Sequence, residues 1–301
     1  MLQQMIILFI VMMTGLLASK LDIIKGEAVK KLTSLVVNIT NPCFILSSVI
    51  GDEVVGKSEL LLMTGISISM FTILIFIAVF LPVILRVPKK SYGVYRAMLV
   101  FNNLGFMGAP IISGIYGSKA LLLLVTFILP FNVLIYTYGV AVIKDDEKNE
   151  GFRWTNILNS GVIAAVMAIF IYLLQLKIPY ILSNSIQLIG NITAPMSMMI
   201  IGASFADINF RKILSDYKLM IFTVIKLIII PVISISVLKM FVDNPMILGV
   251  CAVTMSVPVG SMVPMLATIY GGDYELGSIG VAVTTLVSVI TMPVIFVIFR
   301  L

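Results

Sequence analysis

The sequence predicts an all-α integral membrane protein of ten transmembrane helices, arranged as two inverted five-helix repeats. Three observations carry this. The 301 residues are 60% hydrophobic and 11% charged, with mean hydropathy +1.16, whereas a soluble domain is about a quarter charged. Apolar runs of about 20 residues, the length that crosses a bilayer as a helix, recur along the whole chain. Short motifs return in the same order roughly 150 residues later.

The runs fall at Gln3–Ser19, Leu32–Ile50, Leu60–Leu85, Tyr95–Tyr116, Leu121–Ile143, Asn156–Leu176, Ile181–Ala203, Leu219–Met240, Ile247–Tyr270 and Gly277–Phe299. Met1–Gln4 has no Lys or Arg, and no small-residue cleavage pattern follows, so the first run reads as a span rather than a leader. The connections are too short for a soluble catalytic or nucleic-acid-binding module. Cys43 and Cys251 sit within apolar runs as small hydrophobes, and there is no histidine. Metal–His sites, Ser–His triads and His relays are thereby excluded, and an enzyme is not expected.

Orientation follows from Lys and Arg in the short loops. One set of alternate connections carries Lys20, Lys25, Lys30 and Lys31, then Arg86, Lys89, Lys90 and Arg96, then Lys144, Lys148 and Arg153, then Arg211, Lys212 and Lys218. The other side has Lys57, Lys119, Lys177, Lys239 and the terminal Arg300. The richer side is read as cytoplasmic, with both termini extracytoplasmic, in a bacterial-type plasma membrane. The net charge of +6 reflects this topology and requires no nucleic-acid partner. Trp154, Tyr92, Tyr95 and Tyr217 fall near cytoplasmic span ends as an aromatic belt.

The repeat is visible in pairs. NITNP (Asn38–Pro42) is matched by NITAP (Asn191–Pro195) at an offset of 153. Pro110 with Ile115–Gly117 is matched by Pro264 with Ile269–Gly271 at 154, and Pro82–Ile84 by Pro231–Ile233 at 149. A unit of five spans is odd, so the second copy enters from the opposite side. That is the inverted-topology repeat of many secondary transporters. The domains expected are 1–150 and 151–301.

Each half has two interrupted spans. The fourth holds Asn102, Asn103, Gly105, Gly108 and Pro110, and the ninth Ser256, Pro258, Gly260, Ser261 and Pro264. The second holds Asn41 and Pro42 after Asn38 and Thr40, and the seventh Asn191, Thr193 and Pro195. Proline removes a backbone donor, and irregular backbone at membrane depth is tolerated where protein covers it or a wet cavity lines it. The fourth and ninth spans therefore read as a substrate site, while Pro82, Pro130, Pro231 and Pro293, among plain apolar neighbours, read as kinks. For NITNP and NITAP, helix packing and ligand binding both stand. No carboxylate lies in a span centre, which argues against a deep carboxylate relay and favours a neutral or anionic substrate. Half-helix N-termini suit a carboxylate. Lys226 is the intramembrane charge. It either snorkels to the cytoplasmic face or supports an anion or the ninth-span break electrostatically.

These motifs resemble the auxin efflux carrier family, which includes plant PIN carriers and many bacterial transporters. Asn103 followed by Gly108-Ala109-Pro110 is similar to that family's fourth-span pattern. Pro258-Val259-Gly260 followed by Pro264 resembles the ninth, with one residue more before the second proline, and TMPVIF near the C-terminus resembles the last span. The resemblance covers the full chain. It implies crossed broken helices 4 and 9, a scaffold of helices 1, 2, 6 and 7, and a mobile transport domain of helices 3–5 and 8–10 moving as an elevator. It implies a carboxylate substrate, such as malate, malonate or an auxin-like acid, with Asn103 as a direct contact. The chain departs from plant members with a long loop after the fifth helix, having only KDDEKNEGFRWT there. Plant members also carry acidic residues within or near their transport helices, and none lies in a span centre here. The partners expected are a small organic anion, the lipid bilayer and a second copy of the chain. No cofactor or metal is expected, and Na⁺ or H⁺ coupling is left open. The alternatives are a sodium-coupled carrier of the bile-acid-transporter type, with Na⁺ held by oxygens at the breaks, and, more remotely, a non-transporting receptor.

Overall fold

The computed structural model describes residues 2–50, 56–117, 119–144, 160–207 and 216–301. Asp52, Glu53, Lys148, Arg153, Trp154, Arg211, Lys212 and the start of the sixth predicted span lie outside them. The described chain is a helical, membrane-spanning bundle. In chain order the helices are α1 (Leu2–Lys20), α2 (Glu27–Leu35), α3 (Asn41–Ser47), α4 (Lys57–Ile84), α5 (Tyr92–Val100), α6 (Ala109–Tyr116), α7 (Lys119–Leu134) and α8 (Val140–Ile143). They continue as α9 (Ser160–Leu174), α10 (Tyr180–Asn191), α11 (Thr193–Ser204), α12 (Tyr217–Val224), α13 (Ile230–Leu238), α14 (Pro245–Ser256), α15 (Met262–Tyr270) and α16 (Tyr274–Phe299).

Among the described residues, five continuous stretches are long and apolar enough to cross a membrane: Lys57–Ile84, Lys119–Ile143, Tyr180–Ala203, Tyr217–Leu238 and Tyr274–Phe299. Ile6–Lys20, Leu104–Tyr116, Ser160–Leu174 and Pro245–Ser256 are shorter apolar helices. The sequence leads one to expect ten runs, and part of the difference is physical. In the fourth run α5 stops at Val100 and helix resumes at Leu104, and in the ninth α14 stops at Ser256 and α15 begins at Met262. These are the places where glycine, proline and amides accumulate. Exposed apolar side chains such as Leu61, Phe76 and Ile84 on α4, or Ile290 and Val297 on α16, are the surface that hydrocarbon would cover.

The prolines act in two ways. Pro82, Pro130 and Pro293 lie inside α-helices. Pro42, Pro110 and Pro231 each follow a π-helical turn that ends two residues earlier, at Val36–Thr40, Leu104–Gly108 and Ile225–Ile229. A proline ring clashes with the carbonyl four residues back and has no N–H to offer it. Widening the turn before it by one residue relieves both problems, and such π-bulges often mark functional positions. Pro231, grouped by sequence with the plain kinks, thus belongs with the other class.

Polar residues at span ends have a local purpose. Asp216 accepts from the N–H groups of Lys218 and Leu219, Asn244 from Met246 and Ile247, and Asp273 from Leu276. These are N-caps that satisfy the first, otherwise unpaired donors of α12, α14 and α16.

The chain packs as two compact units, each drawing on both halves of the sequence. The first comprises Met1–Met63, Gly105–Leu129 and Leu158–Ile208, and the second Thr64–Leu104, Pro130–Ile157 and Asn209–Leu301. In the first unit α1 packs along α11 with the backbones touching. A Cβ placed on Gly15 would lie 2.0 Å from the Met199 carbonyl oxygen, and one on Gly202 1.8 Å from that of Met12. Without water to drive helices together, such small-residue contacts supply the van der Waals packing. Gly202→Val is therefore expected to prevent α1 from seating on α11. Size-exclusion chromatography of detergent-solubilised protein should show loss of the monodisperse species, and a wild-type yield and profile would contradict the contact. In the second unit α16 packs against α5, α12, α14, α15 and the π-helical turn Ile225–Ile229.

Candidate functional site

The site is built where α5 and α14 stop. Val100 is the last residue of α5, and Phe101 is extended, with φ −98° and ψ 106°. Val257 is likewise extended after α14. The two extended stretches pair as a short antiparallel bridge between Asn102 and Val259. The Asn103 N–H donates to the Pro258 carbonyl at 2.8 Å, and the Gly260 N–H donates to the Phe101 carbonyl at 2.8 Å. Two interrupted helices thus satisfy one another's backbone within the buried interior of the unit, where Phe101, Asn102 and Val259 are all enclosed. Gly260 is required by the close approach, since a Cβ there would sit 3.0 Å from the Asn102 carbonyl oxygen.

Each helix end is then closed by a side chain. The Lys226 ammonium donates to the Leu99 carbonyl, in the last turn of α5, and to Asn102 Oδ1. Asn102 Nδ2 donates to the Thr254 carbonyl, in the last turn of α14. A cation at one C-terminus and an amide at the other supply the donors that the last carbonyls lack. Both ends of the Asn102 amide are therefore engaged within the protein, which makes it a clasp. The Val259 N–H donates to Thr284 Oγ1 of α16 at 3.1 Å. Asn103 is buried beside the clasp. Ser256 is fully buried, and its Oγ has no hydrogen-bond partner in the protein.

Lys226 is 1% exposed. Its head points inward from the π-helical turn, so it does not snorkel. Burying an ammonium costs several kcal/mol even after relaxation, and hydrogen bonds to a charged group return about 1.5–3 kcal/mol each. Both recorded partners of Lys226 are neutral, so its positive charge is uncompensated by any acid among them.

Of the predicted site residues, the second unit brings together Asn102, Asn103, Ser256, Pro258, Gly260 and Lys226. Ser261 is the N-cap position of α15, and Pro264 within α15 packs on the backbone of Gly277. The others are in the first unit. Gly108 closes the π-helical turn before α6, and Pro110 is the second residue of α6. Gly105 has its nearest side-chain approach at Asn41 Nδ2, 3.9 Å from where its Cβ would stand. Pro42 is the second residue of α3, Asn191 ends α10 exposed, and Thr193 begins α11 fully buried. Sequence reasoning passed over Thr284 and the carbonyls of Leu99 and Thr254. Thr284 lies in an apolar run with no glycine or proline beside it, and carbonyls carry no sequence signal.

The comparisons with known proteins bear on what this geometry serves. The profile of the family described as "Membrane transport protein" matches residues 1–152 and 149–296. The chain belongs to this membrane transport protein family. It is also similar to an uncharacterized transporter of Methanocaldococcus jannaschii, MJ1031, with 21% identity over 297 residues covering 95% of each chain. Membership of the family agrees with the kinship read from the span motifs, and it makes the chain a transporter and not an enzyme. Among the described residues, no cluster of three His, Cys, Asp or Glu side chains exists to hold a metal.

Proposed function

We propose that this membrane transport protein is a secondary transporter of small organic anions, of the auxin-efflux-carrier type found in bacteria. The substrates are carboxylates such as malate, malonate or an auxin-like acid. The observation that carries the reading is Lys226, a fully buried cation with neutral partners, set directly behind the bridged ends of two interrupted helices. When protonated, this amine is a positive charge in a site of low dielectric, which attracts an anion strongly. Asn103 and the Ser256 hydroxyl supply neutral donors, and the helix starts after each break turn the positive ends of their dipoles toward the site. Asn102, Pro258, Gly260 and Pro264 hold the backbone in place.

In this reading the ten spans form two inverted repeats, over 1–150 and 151–301, and the fourth and ninth cross at the bridge. Helices 1, 2, 6 and 7 are the scaffold; they share one compact unit, which also takes in Gly105–Leu129 of the fourth and fifth helices. The remaining helices carry the substrate as an elevator, with both termini extracytoplasmic and two copies forming a homodimer. A sodium-coupled carrier with Na⁺ at this crossing is less well supported, because the Lys226 ammonium already takes the Leu99 and Asn102 oxygens.

Purified protein in liposomes, offered a panel of radiolabelled mono- and dicarboxylates, should accumulate at least one of them. Asn103→Ala should lower that uptake at least about tenfold, the effect of losing one charge-assisted hydrogen bond of ~1.5 kcal/mol. Wild-type uptake by Asn103→Ala would remove Asn103 from the site. Uptake of no carboxylate, under gradients that drive other solutes, would overturn the substrate class.

A further inference from the structure

The motifs NITNP and NITAP have no part in the site above, yet the fold brings them together inside the first unit. α3 packs on α10, while α11 packs on the π-helical turn Val36–Thr40 and on α2. The later part of one span lies on the earlier part of the other, so the two run antiparallel. Their contact is close, for a Cβ on Gly190 would stand 3.0 Å from both Cα and N of Phe44. From that pivot the helical repeat sets Thr193 opposite Thr40 and Asn41, with Ser197 one turn further on the same face as Thr193.

Four oxygens on these two stretches have no hydrogen-bond partner in the protein: Thr40 Oγ1, Asn41 Oδ1, Thr193 Oγ1 and Ser197 Oγ. Thr40 is 2% exposed, and Thr193 and Ser197 are 0% exposed. Thr33, Ser47, Thr126, Thr223 and Thr285 donate back to a carbonyl about one turn earlier, whereas Ser19, Ser256 and Thr291, like the hydroxyls of this contact, do not. Pro42 and Pro195, in the same motifs, bring no N–H to the cluster. The set is rich in acceptors and wholly neutral.

We propose that the antiparallel contact of NITNP and NITAP is a Na⁺ site, with Thr40, Asn41, Thr193 and Ser197 as its side-chain ligands. An anion finds no cation among these ligands. Divalent ions are held by carboxylates together with neutral oxygens, and no acidic side chain belongs to the set. A small monovalent cation is satisfied by hydroxyl, amide and backbone oxygens, the chemistry found at broken helices of transporters. The site does not depend on the anion reading, and its test uses no substrate.

The thermal unfolding midpoint of the full-length protein in nanodiscs is measured against NaCl, KCl and choline chloride at constant ionic strength. A ligand bound only by the folded state raises that midpoint with its concentration. Na⁺ should raise it saturably by several degrees, and choline should not. The Thr40→Val/Thr193→Val pair is isosteric and removes hydroxyls that bond nothing else in the protein, so it should melt like wild type in choline and lose the Na⁺ response. Ser197→Ala alone should shift the Na⁺ titration at least tenfold to higher concentration and serves if the pair does not fold. Equal melting of wild type in Na⁺ and choline overturns the site. So does a Na⁺ response undiminished in these variants, which places the ion elsewhere.

Discussion

Lys226→Met is expected to lower anion uptake about thirtyfold while leaving the fold nearly as stable as wild type. The two effects separate because the lysine is costly where it stands. Its burial costs several kcal/mol, offset by two hydrogen bonds of about 1.5–3 kcal/mol each and by the favourable end of the α5 dipole, worth up to about 2 kcal/mol. Methionine fills a similar volume with a flexible apolar chain. It removes the desolvation cost but leaves the Leu99 carbonyl and Asn102 Oδ1 without their donor, at about 1–3 kcal/mol each. The terms nearly cancel, and the melting midpoint should move by only a few degrees.

The anion has no such compensation. A unit charge at about 8 Å in an effective dielectric near 20 contributes about 2 kcal/mol, so anion affinity should fall about thirtyfold. Lys226→Ala is the control for packing. It empties the space of a long side chain and should lose about 2–5 kcal/mol of stability. Paired melting curves and liposome uptake decide the matter. Normal uptake by the methionine variant would show that the charge does not serve the substrate. Collapse of both variants alike would make Lys226 a structural strut.

The bilayer class of the fold was legible in composition alone, because hydrocarbon admits few charges. The breaks were legible as well, since Phe101–Pro110 and Ser256–Pro264 concentrate the poorest helix formers among apolar neighbours. Their joining was not. The bridge between Asn102 and Val259 is made by backbone groups, which every residue carries except for the N–H that proline lacks. The family resemblance singles out Asn103 as the substrate contact but gives Asn102 no role, and only the placement of Lys226 and Thr254 shows that the Asn102 amide is consumed at both ends. The direction of Lys226 was hidden too. It depends on the π-helical turn before Pro231, which re-aims a side chain relative to a regular helix, and a proline among isoleucines announces no more than a kink.

Two glycines that sequence treats alike should part company under substitution. Gly260 and Gly105 each follow an interrupted helix. At Gly260 the atoms nearest a new Cβ are backbone, the Asn102 oxygen at 3.0 Å and the Phe101 oxygen at 3.3 Å. They cannot rotate aside, because the Gly260 N–H and the Phe101 carbonyl are bonded to each other. Gly260→Ala must therefore open the bridge slightly, at about 1–3 kcal/mol, the usual cost of overpacking. Gly260→Val must break it, freeing the Asn103 and Gly260 N–H groups at membrane depth for several kcal/mol more. Transport should fall with stability along that series, because the bridge holds Asn103 in place. At Gly105 the nearest atom is the end of a side chain, Asn41 Nδ2, at an ordinary 3.9 Å. The residue lies in a helical turn, where alanine is favoured over glycine by about 1 kcal/mol, so Gly105→Ala should melt at or above wild type. Melting curves of the three variants measure the difference directly. If Gly260→Ala and Gly105→Ala melt together, the backbone clasp is not what fixes the site, and its geometry must rest on Lys226 and Asn102 alone.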